Sequence, residues 1–87
     1  MSAIVREFGA NVRRLRESHG WSQERLAEHA GLNRTYVGEI ERGTVIASIV
    51  TVEKLARALG VSLPDLLAGA ITLPAGTLAY HPAPAHS

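Results

Sequence analysis

The chain has 87 residues, of which 46% are hydrophobic and 20% charged, which suits one small globular domain and excludes a multidomain architecture. A chain of this length leaves little room for an enclosed substrate pocket beside its core, and this argues against a large enzyme. Nine basic and eight acidic residues give a net charge of +1. Overall charge therefore neither favours nor opposes a nucleic-acid partner, and only the placement of the charges is informative.

The chain contains no cysteine, so it has no disulfide framework, thiolate zinc site or thiol nucleophile, and we expect a cytoplasmic protein. The first 15 residues carry Arg and Glu where a signal peptide would be apolar. Prolines, glycines and histidines interrupt the uncharged run from Leu66 to Ser87, so we expect no membrane-spanning helix. We also expect no cofactor and no metal site, because His81 and His86 have no carboxylate beyond Asp65 to join them.

All the charged side chains lie between Arg6 and Asp65, so the composition divides the chain near Gly69. Residues 1–69 form a charged body, and residues 70–87 form a short uncharged C-terminal tail. Alternating apolar residues in the tail leave two interpretations open, a small hairpin or a disordered segment.

Apolar residues recur at steps of three and four along the body, which predicts short amphipathic helices. Residues that favour the N-terminal cap precede the second to fifth helices: Ser22, Asn33, Ser48 and Ser62. Glycines that favour the left-handed conformation follow the first four helices: Gly20, Gly31, Gly43 and Gly60. The inward positions predicted for the fourth helix are Ile49, Val52, Leu55, Ala56 and Leu59. We therefore predict an all-α fold of five short helices.

Only Gly31, Leu32 and Asn33 separate the second helix from the third, and so short a turn makes two helices cross steeply. A small side chain is needed where the helices cross, and Ala27 meets this requirement. Such a steep crossing restricts which side chains fit between the two helices.

Residues Phe8 to Gly69 resemble the lambda-repressor and Cro-like (XRE-type) helix-turn-helix family of transcriptional regulators. The resemblance is carried by Leu15 and Arg16, by GWSQERLAEHAGLNRTYVGEIERG from Gly20 to Gly43, and by KLARALGVSLPDLL from Lys54 to Leu67. It implies that residues 1–69 are a five-helix DNA-binding domain, usually a homodimer, whose third helix (about residues 34–42) enters the major groove of a palindromic operator. The sequence Asn-Arg-Thr followed by Tyr36 also resembles, to a lesser degree, that of restriction-modification controller proteins.

The exposed start of the third helix carries side chains suited to base edges, and a major groove admits one such helix. We predict base contacts by Arg34, Thr35, Tyr36 and Glu39, with Arg34 bidentate to guanine and Glu39 accepting from cytosine. Gly38 is expected on the same face, where bare backbone would approach the duplex closely. The alternative for these polar residues is an ordinary solvated helix face.

Phosphate contacts are predicted at both ends of the motif. The resemblance implies that Gln23, in the first turn of the second helix, holds a phosphate, and we extend this role to Arg42. Arg13 and Arg14 are weaker candidates for the same role. The alternative for Gln23 is that it simply fills the first helical turn.

The resemblance also places Arg16 and Glu41 opposite each other, between the first helix and the end of the third. We interpret them as a structural pair, because a partly buried bidentate ion pair would fix how the third helix is presented.

After Gly43 the family usually carries basic residues followed by Asn and Pro, whereas this chain has Thr44, Val45, Ile46 and Ala47. The loop therefore offers fewer phosphate contacts, which predicts weaker DNA binding or reliance on dimer cooperativity. We expect Val45 and Ile46 to be exposed. They either pack locally in the loop or, together with the C-terminal tail, form a surface for dimerisation or a protein partner.

No nucleophile, base and orienting group occur together, and no glycine-rich phosphate loop follows a strand, so we expect no enzyme activity. The sequence predicts a sequence-specific, homodimeric DNA-binding transcriptional regulator. A second interpretation is a protein-interaction module on the same fold, such as an antitoxin, with weak or no specific DNA binding. The near-neutral charge and the apolar loop motivate this second interpretation.

Overall fold

The computed structural model describes residues 3–67 and shows five α-helices and no strand within them. The helices are α1 (Ala3–Ser18), α2 (Gln23–Ala30), α3 (Arg34–Arg42), α4 (Ile49–Leu59) and α5 (Leu63–Leu67). The all-α prediction is confirmed. The tail, the boundary near Gly69 and both C-terminal histidines lie outside the described residues. None of the five helices combines the length and hydropathy needed to cross a membrane, and residues 3–67 hold no cluster of metal-ligating side chains.

The predicted start and stop signals are confirmed for these helices. Hydroxyl or amide oxygens of the four caps accept backbone N–H bonds of 2.7–3.1 Å: Ser22, Asn33, Ser48 and Ser62. The four stop glycines have φ angles between 68° and 74°, a region that other residues rarely adopt. In the turn between α2 and α3, the N–H of Leu32 reaches back 2.9 Å to the carbonyl of Ala27. Local chemistry alone therefore accounts for most helix boundaries.

One core joins all five helices. Its buried apolar side chains are Phe8, Val12, Leu26, Ala27, Ala30, Val37, Ile40, Val52, Leu55, Ala56, Leu59 and Leu66. The predicted inward position of Ile49 is wrong, because this side chain at the start of α4 is 73% exposed. The first turn of α4 extends beyond the packed part of the domain, so the core-facing stripe begins only at Thr51 and Val52.

The backbones of α1 and α3 touch at Gly9, a residue that the sequence pattern did not single out. A Cβ atom at Gly9 would overlap the carbonyl oxygen of Ile40 and would lie 2.8 Å from that of Glu41. Gly9 is buried in this contact. The absence of a side chain on α1 therefore sets how closely α3 packs, and α3 is the helix that carries the predicted base-contacting residues.

Candidate nucleic-acid interface

The first turn of α3 presents Arg34 and Thr35 to solvent, and Glu39 is partly exposed one turn later. Asn33 caps this turn by accepting the N–H groups of Thr35 at 2.7 Å and of Tyr36 at 3.4 Å. Among residues 3–67 the Arg34 guanidinium has no hydrogen bond or ion pair. It is therefore available to an external ligand, which is the property required of a side chain that reads a base.

Tyr36 occupies a different environment from its neighbours on α3. Its ring is partly buried against the core, and its hydroxyl donates to Thr51 Oγ1 at 3.4 Å. Thr51 also accepts from the Ser48 hydroxyl at 3.1 Å, at the cap of α4. The Tyr36 hydroxyl is thus directed at the start of α4, and base contact by this residue stays a prediction.

Arg16 and Glu41 are brought together by the packing of α1 on α3. Arg16 Nε donates to Glu41 Oε2 at 2.7 Å, and Arg16 Nη2 donates to Glu41 Oε1 at 3.1 Å. The side chains are only 11% and 3% exposed. Arg16 Nη1 also donates to the Trp21 carbonyl at 2.7 Å. The hydrogen bond to Glu41 outweighs burial and raises the pKa of Arg16, which keeps this side chain charged.

Gln23 is linked to the same carboxylate. Its Nε2 donates to Glu41 Oε1 at 3.1 Å, so one carboxylate oxygen serves both Gln23 and Arg16. Gln23 therefore does more than fill the first turn of α2, because its amide group is tied to the end of α3.

The three remaining phosphate candidates differ in their surroundings. Arg42 is exposed at the end of α3, and its Nη1 reaches the surface over Gly38. Arg13 is paired with Glu17 at 3.1 Å on an exposed face of α1, and Arg14 donates to the buried Asn11. Neither α1 residue has a hydrogen bond or ion pair with α2 or α3 within residues 3–67. The structure thus brings Arg42 close to Gln23 and leaves Arg13 and Arg14 apart.

Gly38 is buried, so the expectation that it offers bare backbone to a duplex is wrong. The polar ends of two neighbouring side chains cover it. An ideal Cβ at this position would lie 3.1 Å from Arg42 Nη1 and 3.5 Å from Gln23 Oε1. The sequence pattern identified the unusual glycine but not what lies over it, because that depends on the packing of α2 beside α3.

The loop after α3 is exposed at only one of the two predicted positions. Ile46 is 73% exposed, whereas Val45 packs against the core, so the expected exposure of Val45 is wrong. Ile49, 73% exposed, and Val50, 56% exposed, accompany Ile46 at the start of α4. We call Ile46, Ile49 and Val50 the apolar patch. Ile46 also lines an adjacent apolar cleft of about 210 Å³.

Three aromatic rings form a stack at the turn from α1 to α2 that sequence reasoning missed. The Trp21 ring lies between the imidazoles of His19, at 4.4 Å, and His29, at 4.2 Å between ring centroids. Nothing in their spacing reveals the stack, because it depends on the path of the turn.

Comparison with known proteins gives a consistent family. The helix-turn-helix family HTH_3 matches residues 12–66. The control protein C.BamHI of Bacillus amyloliquefaciens is 49% identical over 61 residues, which are 69% of this chain and 75% of that protein. The control protein C.SmaI of Serratia marcescens is 47% identical over 57 residues, 66% of this chain and 68% of that protein.

A solved structure agrees with these relatives. The restriction-modification controller protein C.AhdI from Aeromonas hydrophila superposes with a TM-score of 0.73 at 45% identity, covering 75% of this chain and 98% of that one. The resemblance noted in the sequence, to helix-turn-helix regulators and to controller proteins, is confirmed. The chain therefore belongs to the HTH_3 helix-turn-helix family, and it is a DNA-binding transcriptional regulator.

Proposed function

We propose that the chain binds a two-fold related operator as a homodimer, with α3 of each protomer in the major groove. The observation that carries this proposal is the Arg34 guanidinium, which is exposed in the first turn of α3 and has no partner among residues 3–67. A free guanidinium at the start of a recognition helix is suited to bidentate contact with guanine. The Arg16–Glu41 pair and the close contact at Gly9 support the proposal by holding α3 rigidly to α1.

In this proposal Arg34, Thr35 and Glu39 touch base edges. Thr35 offers a hydroxyl and a methyl group, and Glu39 offers an acceptor for the amino group of cytosine. Tyr36 acts mainly by orienting α3 against α4, because its hydroxyl is bonded to Thr51. Its ring edge remains the part suited to a base or sugar contact.

Gln23 and Arg42, whose polar ends lie close together over Gly38, contact the phosphate backbone. The first turn of α2 supplies free backbone N–H groups beside Gln23, and Arg42 supplies a positive charge. Arg13 and Arg14 have a smaller part, since both guanidinium groups are engaged on α1. The loop after α3 has no basic residue, so we expect few phosphate contacts per protomer and a strong dependence on dimerisation.

The apolar patch of Ile46, Ile49 and Val50 is our candidate for contact with a second copy of the chain. An apolar patch with no charged member suits an isologous contact, in which each residue meets the same surface on its partner. The net charge of +1 produces little repulsion between two copies.

We further propose that the regulated genes encode a restriction enzyme and its methyltransferase. The support is similarity to proteins described as restriction-modification controllers, at 45% identity for the solved structure from Aeromonas hydrophila. Sequencing of genomic DNA cross-linked to the protein should show enrichment upstream of such a gene pair. Enrichment only at unrelated promoters would contradict this assignment while leaving operator binding intact.

The decisive experiment is selection of binding sites from a random duplex pool, in parallel for the wild type and Arg34→Ala at fixed salt. We expect a palindromic motif with half-site centres about 34 Å apart, one helical turn. The variant should lose its preference at one symmetric base pair, by about 1–3 kcal/mol, and still bind other DNA. A motif that is identical for both proteins would remove Arg34 from base recognition.

The second candidate function, a protein-interaction module, is favoured by the apolar patch and by the near-neutral net charge. The salt dependence of binding distinguishes the two candidate functions. Binding through phosphates weakens steeply between about 50 and 200 mM salt, whereas an apolar interface is barely affected. Failure to select any motif, combined with salt-independent capture of a protein partner, would overturn the regulator proposal.

A further inference from the structure

Gly38 lies in the middle of α3 and is buried beneath polar groups. The buried faces of most helices meet apolar side chains, but the space beside Gly38 is lined by the Gln23 amide and the Arg42 guanidinium. Both of these groups are the ends of long side chains that belong to different helices. A glycine within a helix lowers helix stability, because it adds conformational freedom to the unfolded chain. Its presence here therefore calls for a compensating role.

The two covering groups are not equally free to move. Gln23 Nε2 donates to Glu41 Oε1, which also accepts from Arg16 Nη2. The Gln23 amide is therefore tethered to the Glu41 carboxylate. A methyl group at position 38 would lie 3.5 Å from Gln23 Oε1 and 3.7 Å from Gln23 Nε2, which are ordinary contact distances. The same methyl would lie 3.1 Å from Arg42 Nη1, which is too close. Arg42 is therefore the group that must shift.

A shift of Arg42 matters for binding more than for folding. The guanidinium is the end of a flexible, exposed side chain, so the fold tolerates its displacement. A charge-assisted bond to a phosphate oxygen, by contrast, requires a separation of about 2.7–2.9 Å and good alignment. A displacement of a few tenths of an ångström weakens such a bond.

We propose that Gly38 is a positioning residue for phosphate binding: by having no side chain, it lets the Arg42 guanidinium lie over α3 close to the tethered Gln23 amide, so that one backbone phosphate contacts both. This inference rests on the proposed function, since it assigns Gln23 and Arg42 to the same phosphate. Gly38 itself touches no DNA and acts through Arg42.

The test is Gly38→Ala, compared with the wild type, with Arg42→Ala and with the double variant. Thermal melting of Gly38→Ala should show a midpoint about 4–8 °C higher, because alanine is the better helix former. Its affinity for the selected operator should nevertheless fall about tenfold at fixed salt. The slope of log affinity against log salt should become shallower by about 2, as expected when the dimer loses one phosphate contact in each protomer.

The double variant shows whether the glycine acts through Arg42. If it does, adding Gly38→Ala to Arg42→Ala should change operator affinity less than twofold, because the positioned group is already gone. An equal loss in both backgrounds, or a Gly38→Ala variant with wild-type affinity and salt slope, would overturn the inference.

The proposed function fails separately from this inference. If the wild type selects no operator and its DNA binding does not respond to salt, both are overturned. If the wild type selects an operator and Arg42→Ala binds it more weakly, while Gly38→Ala behaves as the wild type, only the inference is overturned. In either case, a cooperative melting transition of Gly38→Ala would show that the variant is folded.

Discussion

Arg16 and Glu41 join α1 to the end of α3 through two parallel N–H···O bonds, of 2.7 Å from Nε to Oε2 and 3.1 Å from Nη2 to Oε1. Both side chains are largely buried, so neither charge is compensated by water if its partner is removed. The hydrogen bond to Glu41 raises the pKa of Arg16 above its ordinary value, so the guanidinium stays charged.

We expect Arg16→Ala and Glu41→Ala each to lower the free energy of unfolding by about 3–5 kcal/mol, because each strands a buried charge. Urea unfolding monitored by circular dichroism measures the loss. Arg57→Ala is the matched control: its pair with Glu53 has the same charges but is 79% and 54% exposed, so we expect a loss below about 0.5 kcal/mol. A similarly small loss for Arg16→Ala would show that the buried pair contributes little.

Gly9→Ala should destabilise the domain by about 3 kcal/mol. The added methyl would collide with the backbone carbonyls of Ile40 and Glu41, which cannot move without displacing α3. Gly38→Ala is the natural comparison, because its methyl meets only side-chain ends and should raise stability. Melting curves of the two variants should therefore shift in opposite directions. Two stabilised variants would mean that α1 and α3 separate easily.

Asn33→Ala should lower the free energy of unfolding by about 1 kcal/mol, since Asn33 Oδ1 caps α3 through the N–H groups of Thr35 and Tyr36. Asn33→Asp keeps the acceptor and places a negative charge at a helix N-terminus, so it should restore stability. Thermal melting of the three proteins checks this order. Equal melting temperatures for Asn33→Ala and the wild type would show that the Asn33 cap does not contribute to stability.

Tyr36→Phe removes the hydroxyl and leaves the ring in place. The bond to Thr51 is long, at 3.4 Å, so we expect a loss of about 0.5–1 kcal/mol in stability. The selected operator motif should be unchanged, because the hydroxyl is directed at α4. Site selection with the variant tests this expectation. A changed preference at one symmetric base pair would show that the Tyr36 hydroxyl contacts a base.

A double substitution, Ile46→Glu with Ile49→Glu, should raise the dimer dissociation constant at least about 100-fold, because like charges would meet across a two-fold contact. Both side chains are 73% exposed, so the melting temperature of the monomer should change little. Analytical ultracentrifugation gives the dissociation constant. Lys54→Glu, an exposed position on the same helix, controls for the change in charge. An unaltered dimer would place the interface elsewhere.

Local features of the sequence were sufficient to predict the helices and their limits. Caps such as Asn33 and stops such as Gly43 act within a few residues of their own position, and the structure has them where they were expected. The spacing of apolar residues likewise predicted core positions of α4 such as Leu55 and Leu59. The steep crossing of α2 and α3 followed from the short turn after Gly31, and the resemblance to a known family identified the pair as a helix-turn-helix motif.

The tertiary structure alone decided which surfaces remain free. Val45 was expected to be exposed but packs against the core, whereas Ile49 was expected to face the core but is exposed. Periodicity within one element does not show where the packed part of the domain ends. Gly9 and Gly38 look alike in the sequence, yet one lies against a backbone carbonyl and the other beneath an arginine. Such differences depend on contacts between residues far apart in the chain, which only the packing of whole helices brings together.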